Sequence, residues 1–114
     1  MIEYLFSYGT LQKEKVQMEL FGRIFQGAAD TLRGYKATVI EIKDETFLAT
    51  GEQKNQLTAI ISDNKKDAVQ GTVLELTKEE LLLVDQYEPD GYGRVKVVLE
   101  SGKQAWIYVA VEST

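Results

Sequence analysis

The 114 residues carry 13 basic and 18 acidic side chains, a net charge of −5, and neither His nor Cys. That length fits one domain over residues 1–114, with a radius of gyration of roughly 13 Å and a core that needs no staples. Disulfides, His/Cys metal centres and Ser-His or Cys-His catalysis are excluded.

The acidic balance argues against a nucleic-acid partner, because such affinity rests on Lys and Arg neutralising phosphates. The only compact basic pair, Lys65-Lys66, lies in the turn-like Ser62–Asp67 segment. No basic segment leads from Met1 into an apolar run, so no signal peptide is expected. The longest apolar run, Ala105 to Val111, is too short for a membrane-crossing helix. The expectation is a cytoplasmic chain with no nucleic-acid and no membrane partner.

Ile2, Tyr4 and Phe6 alternate with Glu3, Leu5 and Ser7, which predicts a strand ended by Gly9. Leu11 to Phe21 has helical spacing and Gly22 to close it. Ile24 to Leu32 reads as a strand weakened at Gly27, by a bulge or a close backbone approach. Strands are also expected over Lys36 to Lys43 and Leu57 to Ile61, with a short apolar piece, Thr46 to Thr50, between them. Val69 to Leu76 is a further strand, with Gly71 inside it.

Thr77-Lys78-Glu79-Glu80 has the form of a capping box. The helix it opens should end near Tyr87 or Glu88, because Pro89 disfavours helical geometry at the residue before it. Asp90, Gly91 and Gly93 make a loop, and Val95, Val97 and Leu99 alternate along a strand. Ser101-Gly102 turns the chain into a last strand, Lys103 to Val111, apolar on both faces and therefore central. The tally is an α+β fold: a small mixed, mostly antiparallel, barrel-like sheet with two short helices.

Without His or Cys, acid–base chemistry near neutral pH falls to a carboxylate, a Lys or a Tyr. Leu81, Val84, Asp85 and Glu88 share one helical stripe, so two carboxylates extend an apolar face. Burial of Glu88 would raise its pKa into the range of a usable base; the alternative is a solvated Glu at a fraying helix end. Asp85 reads more simply as the partner of Arg94, a structural pair. Tyr8-Gly9-Thr10-Leu11, where the first strand meets the first helix, could turn backbone amides toward an anion. The plainer reading there is a turn Gly with Thr10 capping the helix. Tyr108 is either a pocket hydroxyl or a core Tyr. No Walker loop or dinucleotide fingerprint is present.

Five stretches in order resemble the gamma-glutamylcyclotransferase-like family. They are Leu5 to Leu11, Val69 to Leu76, Leu83 to Glu88, Tyr92 to Val95 and Ala105 to Val109. The resemblance implies a small barrel-like α+β fold with a cavity at one end. It implies intramolecular aminolysis, in which the α-amine of a γ-glutamyl group attacks its own γ-carbonyl and releases 5-oxoproline and an amine or amino acid. The family's catalytic acid falls on Glu88 and its ligand-binding loop on Tyr8, Gly9, Thr10 and Leu11. No metal or organic cofactor is implied. The minimal length keeps a second reading open, a non-enzymatic small-molecule binding or interaction domain. The two part on whether Glu88 faces the amides of Gly9 to Leu11. Phe21, Phe25 and Phe47 look exposed, which fits a monomer or a weak homodimer.

Overall fold

The computed structural model describes residues 2–49, 51, 54–89 and 91–111. Thr50 of the Thr46–Thr50 piece and Asp90 of the loop after the second helix lie outside the described residues. The first strand, β1 (Ile2–Ser7), ends with Leu5, Phe6 and Ser7 all buried. A 3-10 turn at Thr10–Gln12 follows, and α1 covers Glu14–Phe21. The helix begins later than its spacing suggests because Lys13 is extended between the two segments. Gly22, at φ 74°, closes it, its N–H donating to the Met18 carbonyl.

The chain continues through β2 (Ala28–Arg33), β3 (Tyr35–Glu41), α2 (Glu45–Leu48) and β4 (Asn55–Ile61). Then come β5 (Ala68–Thr77), α3 (Lys78–Tyr87), β6 (Tyr92–Val98) and β7 (Gln104–Ala110). The short apolar piece around Thr46 forms a helical turn. The Asp44 carboxylate accepts from the amides of Thr46 and Phe47 and so caps a single turn. α3 carries the expected capping box in full: the Thr77 hydroxyl accepts from the Glu80 amide at 3.1 Å, and Glu80 accepts from the Thr77 amide at 2.9 Å.

Five strands form one sheet in the order β2-β5-β1-β7-β6, and β3 pairs with β4 as a separate hairpin. β1 lies antiparallel to β5 and parallel to β7, with Leu5 opposite Trp106; the other pairings are antiparallel. β7 therefore takes the interior place that its two apolar faces suggest. The fold is mixed α+β with a mostly antiparallel sheet, but among the described residues the sheet does not close into a barrel. Among the described residues the β3–β4 hairpin has no ladder to the main sheet, and side chains tie it there. Thr58 Oγ1 accepts from the Ala110 amide at 2.8 Å, and the Tyr92 hydroxyl donates to the Leu57 carbonyl at 2.7 Å.

Alternation along the strands feeds two cores. Phe6, Leu32, Val73 and Ile107 pack on one face, with the β4 residue Ala59. Leu5, Leu74 and Leu76 pack on the other, against Val16 of α1 and Leu81 and Val84 of α3. Two glycines permit the close packing around β5. A Cβ on Gly71 would lie 2.4 Å from the Ser7 carbonyl oxygen and 2.8 Å from Phe6 Cζ. A Cβ on Gly27 would lie 2.2 Å from Thr72 Cγ2, so Gly27 marks a close approach ahead of β2.

The three Phe rings expected at the surface are not exposed. Phe47 is buried, while Phe21 and Phe25 are half-buried and meet edge to face with centroids 5.0 Å apart. Local pattern placed them outside, but each ring finds an aromatic or core neighbour. Among the described residues no helix is long and apolar enough to cross a membrane.

Candidate active site

α3 stops at Tyr87 because Pro89 forces the residue before it out of helical geometry. Glu88 accordingly sits at φ −65°, ψ 142°, while its amide still reaches the Val84 carbonyl. Leu81 and Val84 bury the inward stripe of the helix, and Glu88 continues past its end into a cleft. Burial alone pushes the Glu88 carboxyl up to about 7. Among the described residues nothing donates a hydrogen bond to it and no cation pairs with it.

The cleft is narrow, and part of it is open to solvent. The end of β1 and the following loop, Ser7 to Leu11, form one wall. Glu88 and Pro89 form the second. Phe47 of α2 joins Gln56 and Leu57 of β4 in the third, with Tyr92 and Tyr108 between the walls. The structure thus brings Glu88, Tyr8, Gly9, Thr10, Leu11 and Tyr108 to a single cavity. Asp85 and Arg94 stand behind it.

The loop wall presents backbone. Gly9 is at φ −133°, ψ −137°, and its carbonyl accepts from the Gln12 amide at 3.2 Å. Gly9, Thr10 and Leu11 line the cleft, and amides in the first turn of such a segment have no acceptor within it. Thr10 does not cap a helix: neither the 3-10 turn nor α1 has a side-chain cap. The Thr10 hydroxyl instead lies 2.8 Å from that of Tyr87.

The tyrosines differ in what they offer. The Tyr8 hydroxyl donates to the Tyr108 carbonyl at 2.7 Å and accepts from the Ala59 amide at 3.0 Å. Burial pushes this hydroxyl up to about 12, against the hydrogen bonds that lower it. Tyr8 therefore pins β1, β4 and β7 together and shows the cleft mainly its ring. The Tyr108 hydroxyl donates to Asp85 Oδ1, and burial, then Asp85 itself, holds it well above the ordinary phenol range. Asp85 also accepts from Arg94 Nε at 2.9 Å, so the expected pair is present and Tyr108 is its third member. Tyr92, tied to Leu57, is likewise raised by burial.

Sequence reasoning missed Ser7, Phe47, Gln56, Leu57 and Tyr92 as cleft walls. Phe47, Gln56 and Leu57 arrive from the far hairpin, and no local pattern reports that approach. Tyr92 carries a signal, since it opens the Tyr92-Gly93-Arg94 stretch. Ser7 read as the polar side of an alternating strand. Among the described residues no three His, Cys, Asp or Glu side chains gather as a metal site would require. The chemistry on offer is one carboxylate poised near neutrality, facing a cleft with backbone donors on another wall.

Several solved structures share the fold. A protein of Arabidopsis thaliana solved in solution is 22% identical over 99% of this chain and 71% of its own, with a TM-score of 0.73. A structure named gamma-glutamyl cyclotransferase is 20% identical over 98% of this chain and 68% of its own, with a TM-score of 0.70. A protein of Pyrococcus horikoshii is 23% identical over 97% of this chain and 80% of its own, with a TM-score of 0.66. None of the curated proteins compared with the chain matches it. The model of one family, described as gamma-glutamyl cyclotransferase, AIG2-like, matches residues 5–114. The chain belongs to the gamma-glutamyl cyclotransferase, AIG2-like family.

Proposed function

We propose that this protein is a γ-glutamyl cyclotransferase that acts, as a single domain in the cytoplasm, on a γ-glutamyl amine or γ-glutamyl amino acid. The observation that carries this reading is the common cleft of Glu88 and the Gly9–Leu11 backbone. A substrate held against that backbone lies within reach of a carboxyl whose pKa of about 7 suits both directions of proton transfer.

The chemistry needs no nucleophile from the protein. The substrate's α-amine attacks its own γ-carbonyl carbon, and a C–N bond closes the five-membered ring. Glu88 takes the proton that the amine loses. Amides of the Gly9–Leu11 stretch stabilise the negative charge on the carbonyl oxygen or hold the α-carboxylate. Glu88 then returns the proton to the leaving nitrogen as the old C–N bond breaks. The products are 5-oxoproline and a free amine or amino acid, and Glu88 ends as it began. The remaining task of the cleft is to fold the γ-glutamyl chain so that amine and carbonyl meet. Tyr8, Thr10, Leu11 and Tyr108 shape the walls for that purpose, with Asp85 and Arg94 as support. No cofactor enters this scheme.

The test is a panel of γ-glutamyl amines and γ-glutamyl amino acids assayed for 5-oxoproline, with Glu88→Gln in parallel. General acid–base catalysis predicts a loss of about 100-fold or more in the variant. Equal turnover by both proteins removes Glu88 from the mechanism. Tight binding of a panel compound by both, with no product from either, identifies a non-enzymatic binding domain instead.

A further inference from the structure

Three polar side chains are buried among the described residues: Ser7 at 6% exposure, Gln17 at 3% and Thr58 at 2%. Gln17 is satisfied, donating to the Leu11 carbonyl at 2.8 Å and accepting from the Phe25 amide at 2.9 Å. Thr58 accepts from the Ala110 amide. Ser7 is different. Its hydroxyl has no hydrogen bond to any described residue, yet no buried side-chain oxygen is sealed from solvent without a partner. The Ser7 hydroxyl is therefore reached from the cleft that Ser7 lines with Glu88.

Its direction follows from the pleat. Side chains alternate along a strand, and Leu5, two residues earlier, packs on the helix side with Val84 of α3. Ser7 thus points to the side where α3 delivers Glu88. It also stands two residues before Gly9, at the start of the wall that offers backbone donors.

We propose that the Ser7 hydroxyl is a substrate-binding group that hydrogen-bonds the γ-glutamyl portion of the bound molecule, beside Glu88. This rests on the γ-glutamyl reading of the cleft. The hydroxyl has no protein partner to give up, so it is free to bond the molecule that fills the cleft. Contact with the γ-glutamyl portion follows from its neighbours: Glu88 must reach the reacting amine and carbonyl, and the Gly9 stretch adjoins them.

Ser7→Ala tests this in three measurements. Thermal unfolding of the free protein is expected to occur at the same temperature as wild type or higher, since no protein hydrogen bond is lost; a clear drop overturns the proposal. kcat/KM for 5-oxoproline formation is expected to fall about 10-fold, the scale of one neutral hydrogen bond. The loss should be the same for substrates with different leaving groups, and a loss that varies with the leaving group overturns the assignment. The wild-type melting point should rise on addition of 5-oxoproline, and that shift should shrink in the variant. Active wild type matched by Ser7→Ala sinks this proposal alone. Wild type that neither turns over nor binds any panel compound or 5-oxoproline sinks the γ-glutamyl reading, and this one with it.

Discussion

Thr10 and Tyr87, 77 positions apart in the chain, are bonded hydroxyl to hydroxyl at 2.8 Å. That contact joins the loop wall of the cleft to the last residue of α3, one residue before Glu88. The Tyr87 ring is also met edge to face by Phe47, with centroids 5.8 Å apart. Three walls thus converge on one side chain.

Tyr87→Phe keeps the ring and removes the hydroxyl. The stability loss should be about 1 kcal/mol, that of one hydrogen bond. The larger effect should fall on 5-oxoproline formation, because the loop and Glu88 lose their direct tie. Urea unfolding and steady-state kinetics on the same preparation check both. A variant with full activity and reduced stability would show that the tie holds the fold and not the site.

The raised Glu88 carboxyl makes both activity and stability depend on pH. Its folded value of about 7 lies above the ordinary 4.5, so the folded protein holds the proton more tightly than the unfolded chain does. That contribution to stability is fully present below about pH 4.5 and is lost as pH rises through about 7. Wild type should therefore lose stability relative to Glu88→Gln between pH 5 and 8. Over the same range the acid limb of kcat/KM should rise with a midpoint near 7. Denaturation midpoints of the two proteins across pH, beside the rate profile, give the comparison; parallel stability curves would contradict it.

Asp85 accepts from both Tyr108 and Arg94, and its side chain is about one-third exposed. The Arg94 contact alone should be worth under about 1 kcal/mol because solvent screens it. The Tyr108 contact should be worth more, since the hydroxyl is buried. A double-mutant cycle on Asp85→Asn and Tyr108→Phe should give a coupling of about 1 kcal/mol, against a smaller value for Asp85→Asn with Arg94→Gln. Reversed magnitudes would make the ion pair the main tie.

Gly71→Ala should be among the most damaging single-methyl changes in the protein. The new carbon would fall 2.4 Å from the Ser7 carbonyl, which is backbone, and 2.8 Å from the Phe6 ring. Neither can move without disturbing β1, so the cost should be about 2 kcal/mol or more. Gly93→Ala provides the control: its Cβ would sit 3.5 Å from the nearest atom, in ordinary contact with Val111. Comparable thermal shifts for the two variants would refute the argument from close approach.

Where local chemistry decides structure, the residues could be read directly. Thr77 with Glu80 announces the start of α3, Pro89 announces its end, and Gly22 closes α1 as a left-handed cap. The strands show as alternation because each has two distinct environments. Glu88 was legible for the same reason, lying on the stripe of Leu81 and Val84. The failures are of three kinds. α2 is a single turn, too short for helical periodicity, and its one signal is the Asp44 cap. Phe47, Gln56 and Leu57 reach the cleft through a hairpin whose docking depends on Tyr8, Tyr92 and Thr58, partners remote in sequence. Ser7 shows a third difficulty: a polar residue in an alternating strand looks solvated, and only the packing of both faces of β1 shows that it is not.

The pairing of β1 sets an order of events during synthesis. Its antiparallel neighbour is residues 68–77 and its parallel neighbour is residues 104–110. A ribosome releasing the chain from its first residue presents Leu5 long before either neighbour exists. One edge of the strand stays unpaired until the last strand emerges. Contacts so distant along the chain slow folding, and an unpaired strand is a template for pairing with other chains. Until residue 110 clears the exit tunnel, the open edge of β1 is therefore available to pair with another chain.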